Sequence, residues 1–214
     1  MTSALLAAAL SHCSSAQDNS PASAHSIVIV GDSLSTGYGT SAADAWPQLV
    51  NNDAAFVRGH PVLRNTAQNG SGYVSVGEEE STFATEVAEA VSPTTRLVVF
   101  FGSENDIGFP LSDVGAAASE AYANVKSLAP SARLLVIGPV STTPDIDPEL
   151  VAVRDQAREA ALHAGAFFVD PIAEGWIMDN SAELIGPDGD HPTVAGQIFL
   201  KDQMERLISE HSSS

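Results

Sequence analysis

Ile27-Val28-Ile29-Val30-Gly31-Asp32-Ser33-Leu34-Ser35 is the stretch that decides how this chain folds. Four apolar residues bounded by turn formers read as a strand buried on both faces, and the turn begins at Gly31. In an open parallel sheet, ligands bind in the crevice beyond the carboxyl ends of the strands. Ser33, just past the end of this first strand, is therefore the first candidate nucleophile.

The rest of the chain repeats the same grammar. A Gly/Ser/Thr loop over 36–43 leads to a helix beginning at 44–50, with Trp46, Leu49 and Val50 apolar and Pro47 in its first turn, where a missing N–H costs nothing. Residues 61–66 read as a second short strand running into a turn-rich loop over 67–73. A helix over about 79–91 places Phe83, Val87, Ala90 and Val91 at helical spacing, and Ser92-Pro93 ends it. Residues 96–101 are apolar after Arg96 and closed by Gly102, the mark of a fully buried parallel strand. Strands four and five are expected over 133–137 and 166–169, with helices over 112–128, 148–163 and 194–208. Five strands alternating with five helices predict a doubly wound α/β fold, a parallel sheet between two helical layers with right-handed crossovers.

Composition narrows the function classes. Nine Lys plus Arg against 27 Asp plus Glu give a formal charge of −18, which repels phosphate backbones and anionic headgroups, so nucleic acid is not an expected partner. No run approaches the roughly 18 apolar residues of a membrane span. Cys13 is the single cysteine, which excludes an internal disulfide and a cysteine-based metal site. It follows an Ala-rich apolar run over 4–10, and Leu10-Ser11-His12-Cys13 is similar to a bacterial lipoprotein processing box, although His12 stands where a small residue is wanted and no Lys or Arg precedes the run. Residues 1–25 are read as a leader or tether implying export or a lipid anchor at Cys13, with a cytoplasmic location if they are not a signal remnant. Residues 26–210 are read as one domain.

If the strands are parallel, their following loops open on one edge of the sheet. Those loops carry Asp32-Ser33, Asn69-Gly70, Asn105-Asp106 and Thr142-Thr143, and the fifth strand leads through Trp176 to Asp188-Gly189-Asp190-His191. Acyl transfer by serine needs a hydroxyl, a base, a carboxylate to fix the base, and donors aimed at the developing oxyanion. Ser33, His191 and Asp188 fill the first three roles. The N–H groups of Ser33 and Gly70 and the side-chain amide of Asn105 fill the last, glycine permitting close approach of backbone to substrate. Asp32 is expected to order the nucleophile turn and Asp106 to brace its loop, and Asp188 or Asp190 alone could equally cap the following helix. Asp32, Leu34, Glu104, Ile107, Phe109 and Trp176 are candidates for the pocket, although Trp176 reads most simply as a core anchor. The Gly37-Tyr38-Gly39 segment lacks the lysine and spacing of a phosphate loop.

At these residues the chain resembles the SGNH subgroup of GDSL esterases and lipases. Gly31-Asp32-Ser33-Leu34 matches that family's first block, Asn65 through Gly70 its second, Asn105-Asp106 its third and Asp188-Gly189-Asp190-His191-Pro192 its fifth, in the family's order and over about residues 26–208. The resemblance implies a flavodoxin-like α/β/α sandwich with a five-stranded parallel sheet, a cofactor-free and metal-free Ser33–His191–Asp188 triad, and an oxyanion hole of Ser33, Gly70 and Asn105. One position departs: Ser103 stands where the third block usually has glycine, which leaves the shape of that loop open and turns Glu104 toward the pocket. The implied activity is hydrolysis of carboxylic esters. Short acyl groups are expected because the connections are short and nothing long enough to be a lid lies between strands. Carbohydrate deacetylation, thioester cleavage or acyl transfer would use the same residues, and a non-catalytic carbohydrate-binding module on the same fold is the rival from another class.

Overall fold

Alternation along the strands sorts the core into two layers. In the computed structural model, which describes residues 26–212, β1 is Ser26–Gly31, β2 Leu63–Asn65, β3 Thr95–Phe101, β4 Arg133–Ile137 and β5 Phe167–Val169. The leader read over 1–25, with Cys13, lies outside the described residues. Successive side chains of a strand face opposite sides of the sheet. Val28, Val30, Val98, Phe100, Leu134 and Val136 therefore pack in one layer, and Ile27, Ile29, Leu97, Val99, Phe101, Leu135 and Ile137 in the other.

The strands are all parallel, in the order β2-β1-β3-β4-β5, with Ile27 opposite both Leu63 and Leu97. Parallel neighbours need crossovers, and helices supply them. The helices are α1 Ser33–Thr36, α2 Trp46–Asn52, α3 Phe83–Ala90, α4 Leu111–Leu128, α5 Pro148–His163, α6 Ser181–Leu184 and α7 Val194–Ser212. The first layer is closed by α3, α4 and α5 through Phe83, Val87, Val114, Tyr122, Val125 and Val153. The second is closed by α2 and α7 through Trp46, Val50, Leu200, Met204 and Ile208. Phe100 is fully buried, and Phe100→Ala would cost about 3–5 kcal/mol.

The fourth strand and the helix over 148–163 fall where the sequence puts them. Asp147 caps that helix, accepting the Glu149 N–H at 2.8 Å. The helix expected over 79–91 is shorter: Glu78–Glu80 makes a separate 3₁₀ turn, and a reciprocal cap between Thr82 and Thr85 starts α3 at Phe83. Two four-residue helices, α1 and α6, were not expected; each lies inside a stretch that reads as loop. Among the described residues no helix is long and apolar enough to cross a membrane.

Sheet order reverses between β1 and β3, since β2 lies on one side of β1 and β4 and β5 on the other. A crevice opens at such a switch point. The two segments leaving it are Gly31-Asp32-Ser33 and Gly102-Ser103-Glu104.

Candidate active site

Asp32 builds the first of those segments. Its carboxylate accepts the Leu34 N–H at 3.0 Å, capping α1, and the Ser103 N–H at 3.2 Å across the crevice. Gly102 has φ +131°, and a Cβ there would sit 2.0 Å from Asp32 Oδ2, so only glycine lets the carboxylate span both loops. Asp32 is wholly buried, and burial pushes its carboxyl up to about 7 despite the two donors. Ser33 follows, half-buried at the first position of α1, where backbone N–H groups have no intrahelical acceptor. The turn is fixed from behind. Trp46 Nε1 donates to Ser35 Oγ at 3.1 Å, Asn65 Nδ2 to the Ser35 carbonyl at 2.8 Å, and Gln197 Nε2 to the Leu34 carbonyl at 3.3 Å.

Asp188 and His191 form a self-contained unit at the start of α7. Asp188 Oδ1 accepts the N–H groups of Asp190 and His191, both at 3.1 Å, while Oδ2 lies 3.0 Å from His191 Nδ1. A carboxylate only accepts, so Nδ1 carries the proton and Nε2 keeps its lone pair. These contacts, led by the Asp190 N–H, hold the Asp188 carboxyl down at about 2. The loop is clamped by the Ile185–Pro192 bridge and by the Gly186 N–H on the His191 carbonyl at 2.8 Å. It meets the Ser33 loop directly: the Tyr38 and His191 ring centroids are 4.4 Å apart.

The predicted oxyanion donors come to the same edge. Gly70 adopts φ +77°, a conformation that L side chains rarely reach. Asn105 Nδ2 donates to the Ser71 carbonyl at 2.9 Å, which fixes the amide plane and leaves its second N–H. Asp106 braces the loop after β2 rather than its own: its carboxylate accepts from Tyr73, Val74 and Ser75 at 2.8–2.9 Å. Ser103, the departure from the family pattern, adopts the left-handed conformation with φ 87°, and its buried hydroxyl has no partner. The loop thus keeps a glycine-like shape without glycine.

Beside this constellation lies a cavity of about 180 Å³ lined by Glu104, Ile107, Val140, Leu150, Thr142 and Asp190, among others. Two of the pocket candidates, Glu104 and Ile107, are on its wall. Leu34 and Asp32 lie buried in the turn around Ser33, and Phe109 is exposed and not part of the wall. Trp176 belongs to the core: it is 4% exposed, packs on Phe101 and Phe199, and donates to Glu174 at 2.8 Å. An indole with its apolar body in the sheet layer and its N–H satisfied by a neighbour two residues away has nothing to offer a ligand. The Glu104 carboxyl is pushed up to about 9 by burial, with the charges of Asp32 and Asp190 adding to it, and it hydrogen-bonds to Asp190.

Residues 29–197 match the GDSL-like lipase/acylhydrolase family. The chain belongs to that family. It is accordingly a carboxylic ester hydrolase by class. It is 38% identical over 189 residues to the GDSL lipase Rv0518 of Mycobacterium tuberculosis, covering 86% of this chain and 81% of that one. Solved structures share the fold. The psychrotrophic esterase EstA of a Pseudoalteromonas species superposes with a TM-score of 0.68 at 18% identity, over 87% of this chain and 97% of its own. Est24, a carbohydrate acetylesterase of Sinorhizobium meliloti, gives 0.66 at 16% identity, over 87% and 99%.

Three residues that hold or touch the loops of this candidate site escaped the sequence reading. Glu86 on α3 is buried and accepts the Gly31 N–H at 2.9 Å and the Ser81 hydroxyl at 3.0 Å. A signal existed, because Glu86 is three residues after Phe83 and four before Ala90, on the core-facing stripe. Gln197 is buried on α7 and also accepts the Trp46 N–H at 2.8 Å. Tyr38, against His191, carries no signal that distinguishes it from an ordinary loop tyrosine.

Proposed function

We propose that the protein is a serine esterase that cleaves short-chain carboxylic esters through an acyl-enzyme. Ser33 Oγ attacks the carbonyl carbon as His191 Nε2 takes the hydroxyl proton. Asp188 fixes the imidazole, and the N–H groups of Ser33, Gly70 and Asn105 receive the oxyanion. The proton then passes to the leaving alcohol, and water activated at His191 frees the acyl group. The observation that carries this reading is the Asp188–His191 contact, 3.0 Å at Nδ1 with Nε2 left as the base, on a loop that abuts the Ser33 loop through Tyr38. Comparing parent with Ser33→Ala and His191→Ala on p-nitrophenyl acetate tests it: each substitution should remove about 10³-fold or more of turnover.

Short acyl groups are supported by the cavity of about 180 Å³, below the roughly 300–1,000 Å³ of pockets for larger ligands. Its walls favour one natural chemistry, removal of acetyl from a polyhydroxylated carrier. Ser141, Thr142, Thr143, Asp145 and Asp147 bring hydroxyls and carboxylates to it, and Est24 is a carbohydrate acetylesterase by name. The exported or lipid-anchored origin read from residues 1–25 belongs to the same proposal, and metabolic labelling of Cys13 with a palmitate analogue tests it.

A further inference from the structure

His191 has a second acidic neighbour, on the side from which its base works. Asp190 Oδ2 lies 4.0 Å from Nε2, while Asp188 occupies Nδ1. Asp190 is itself hydrogen-bonded to Glu104, and the two line the same cavity. Two carboxyls in contact cannot both ionise at neutral pH without strong repulsion, so one keeps a proton. Burial, with the charges of Asp32 and Asp190, pushes the Glu104 carboxyl up to about 9, and the Asp190 side chain is half-exposed to water. The proton therefore stays on Glu104, which donates to the Asp190 carboxylate and fixes it in place.

Resting on the reading of Ser33 and His191 given above, we propose that Asp190, oriented by Glu104, is a positioning residue that stabilises the imidazolium His191 becomes when it takes the Ser33 proton. When Ser33 Oγ bonds to the carbonyl carbon, the π pair moves to oxygen and the hydroxyl proton moves to Nε2. A positive charge then appears between two carboxylates, Asp188 at one nitrogen and Asp190 near the other. On collapse of the tetrahedral intermediate the C–O bond to the alcohol breaks and the proton leaves with the alkoxide. Asp190 and Glu104 finish as they began. At 4.0 Å the Asp190 contact is electrostatic rather than a hydrogen bond, so it leaves the Nε2 lone pair free for Ser33.

The charged and titratable groups around the imidazole and around Asp190 beside it come from three segments. Asp188 and Asp190 belong to its own loop, Tyr38 to the nucleophile loop with its ring 4.4 Å away, and Glu104 to the 3₁₀ turn after β3, with the Asp32 charge acting on Glu104 from below. Removing the Asp190 charge has two opposite effects. The transition state loses stabilisation, so the plateau of kcat/KM falls. The imidazole also gives up its proton more readily, so the acid limb moves to lower pH.

The test is the pH profile of kcat/KM for parent, Asp190→Asn, Asp190→Glu and Glu104→Gln, with melting temperatures recorded alongside. Asp190→Asn should lower the plateau several-fold and move the acid limb to lower pH. Asp190→Glu should restore much of both, and Glu104→Gln, whose amide still donates, should hold the limb near the parent's. If Asp190→Asn folds poorly, Asp190→Ser removes the same charge. A folded Asp190→Asn or Asp190→Ser enzyme whose acid limb stays at the parent's pH overturns the proposal, because a merely structural role lowers activity without moving the limb. Ser33→Ala assayed in parallel separates the two levels: its inactivity beside an unmoved Asp190→Asn limb rejects only the role of Asp190, whereas its full turnover rejects the reading of the site on which the role rests.

Discussion

Glu86, on the helix after β2, accepts the backbone N–H of Gly31 at 2.9 Å and so ties α3 to the end of the strand that presents Ser33. The carboxyl is buried, and burial pushes it up to about 8, against the donors Gly31, Ser71 and Ser81. At neutral pH it is therefore largely a neutral acceptor. Glu86→Gln keeps an acceptor of the same shape and should cost little. Glu86→Ala leaves the Gly31 N–H unpaired in the core and a cavity behind it, and should cost about 2–4 kcal/mol in urea denaturation. Equal losses in the two variants would deny the hydrogen bond its importance.

The same buried acids set how stability varies with pH. Asp32 and Glu86 have folded carboxyls near 7 and 8 against ordinary values of 3.8 and 4.5. Between those limits the folded chain binds more protons than the unfolded chain, so stability falls as pH rises. Asp188 works in the other sense, its contribution present above 3.8 and lost as pH falls toward 2, outside this window. The melting temperature should fall from pH 5 to pH 8, and Glu86→Gln should flatten the slope. A melting temperature that climbs across that range would contradict the assignment.

Ser103 occupies a backbone conformation that suits glycine, with a buried hydroxyl that has no partner. Ser103→Gly relieves both and should stabilise the protein by about 1 kcal/mol, net of the entropy glycine adds to the unfolded chain. Calorimetry decides this, and a lowered melting temperature would mean that the hydroxyl is satisfied in solution.

Asn105 is aimed by its bond to the Ser71 carbonyl. Asn105→Ala should lose about 10²–10³ in kcat with a much smaller change in KM, because an oxyanion donor acts chiefly in the transition state. Full turnover in that variant would remove Asn105 from the site.

The sheet was legible because short continuous apolar runs such as Ile27–Val30 and Leu134–Ile137 stop at turn formers, and parallel order follows from the alternation of strands and helices. The candidates Ser33, Gly70, Asn105, Asp188 and His191 were chosen by residue type, the first three in loops after strands and the last two in the loop before the final helix, together with the resemblance to the GDSL blocks. Glu86 and Gln197 were not, since a polar side chain on a helix reads as solvated unless its buried partner is known, and those partners lie 55 and 151 residues away. Trp176 was open to two readings, core anchor or pocket lining, because exposure of an aromatic next to a loop is a tertiary property, and the simpler one, the core, is where it lies. The pairing of Glu104 with Asp190 joins two loops that only the β1/β3 crevice brings together.

The nucleophilic role of Ser33 is tested most directly by intact-mass and peptide mapping after reaction with a fluorophosphonate. The expected result is a single phosphonyl adduct on Ser33, absent from Ser33→Ala and slow to form in His191→Ala. An enzyme that hydrolyses p-nitrophenyl acetate while Ser33 stays unlabelled, or while the adduct maps to another residue, would contradict it.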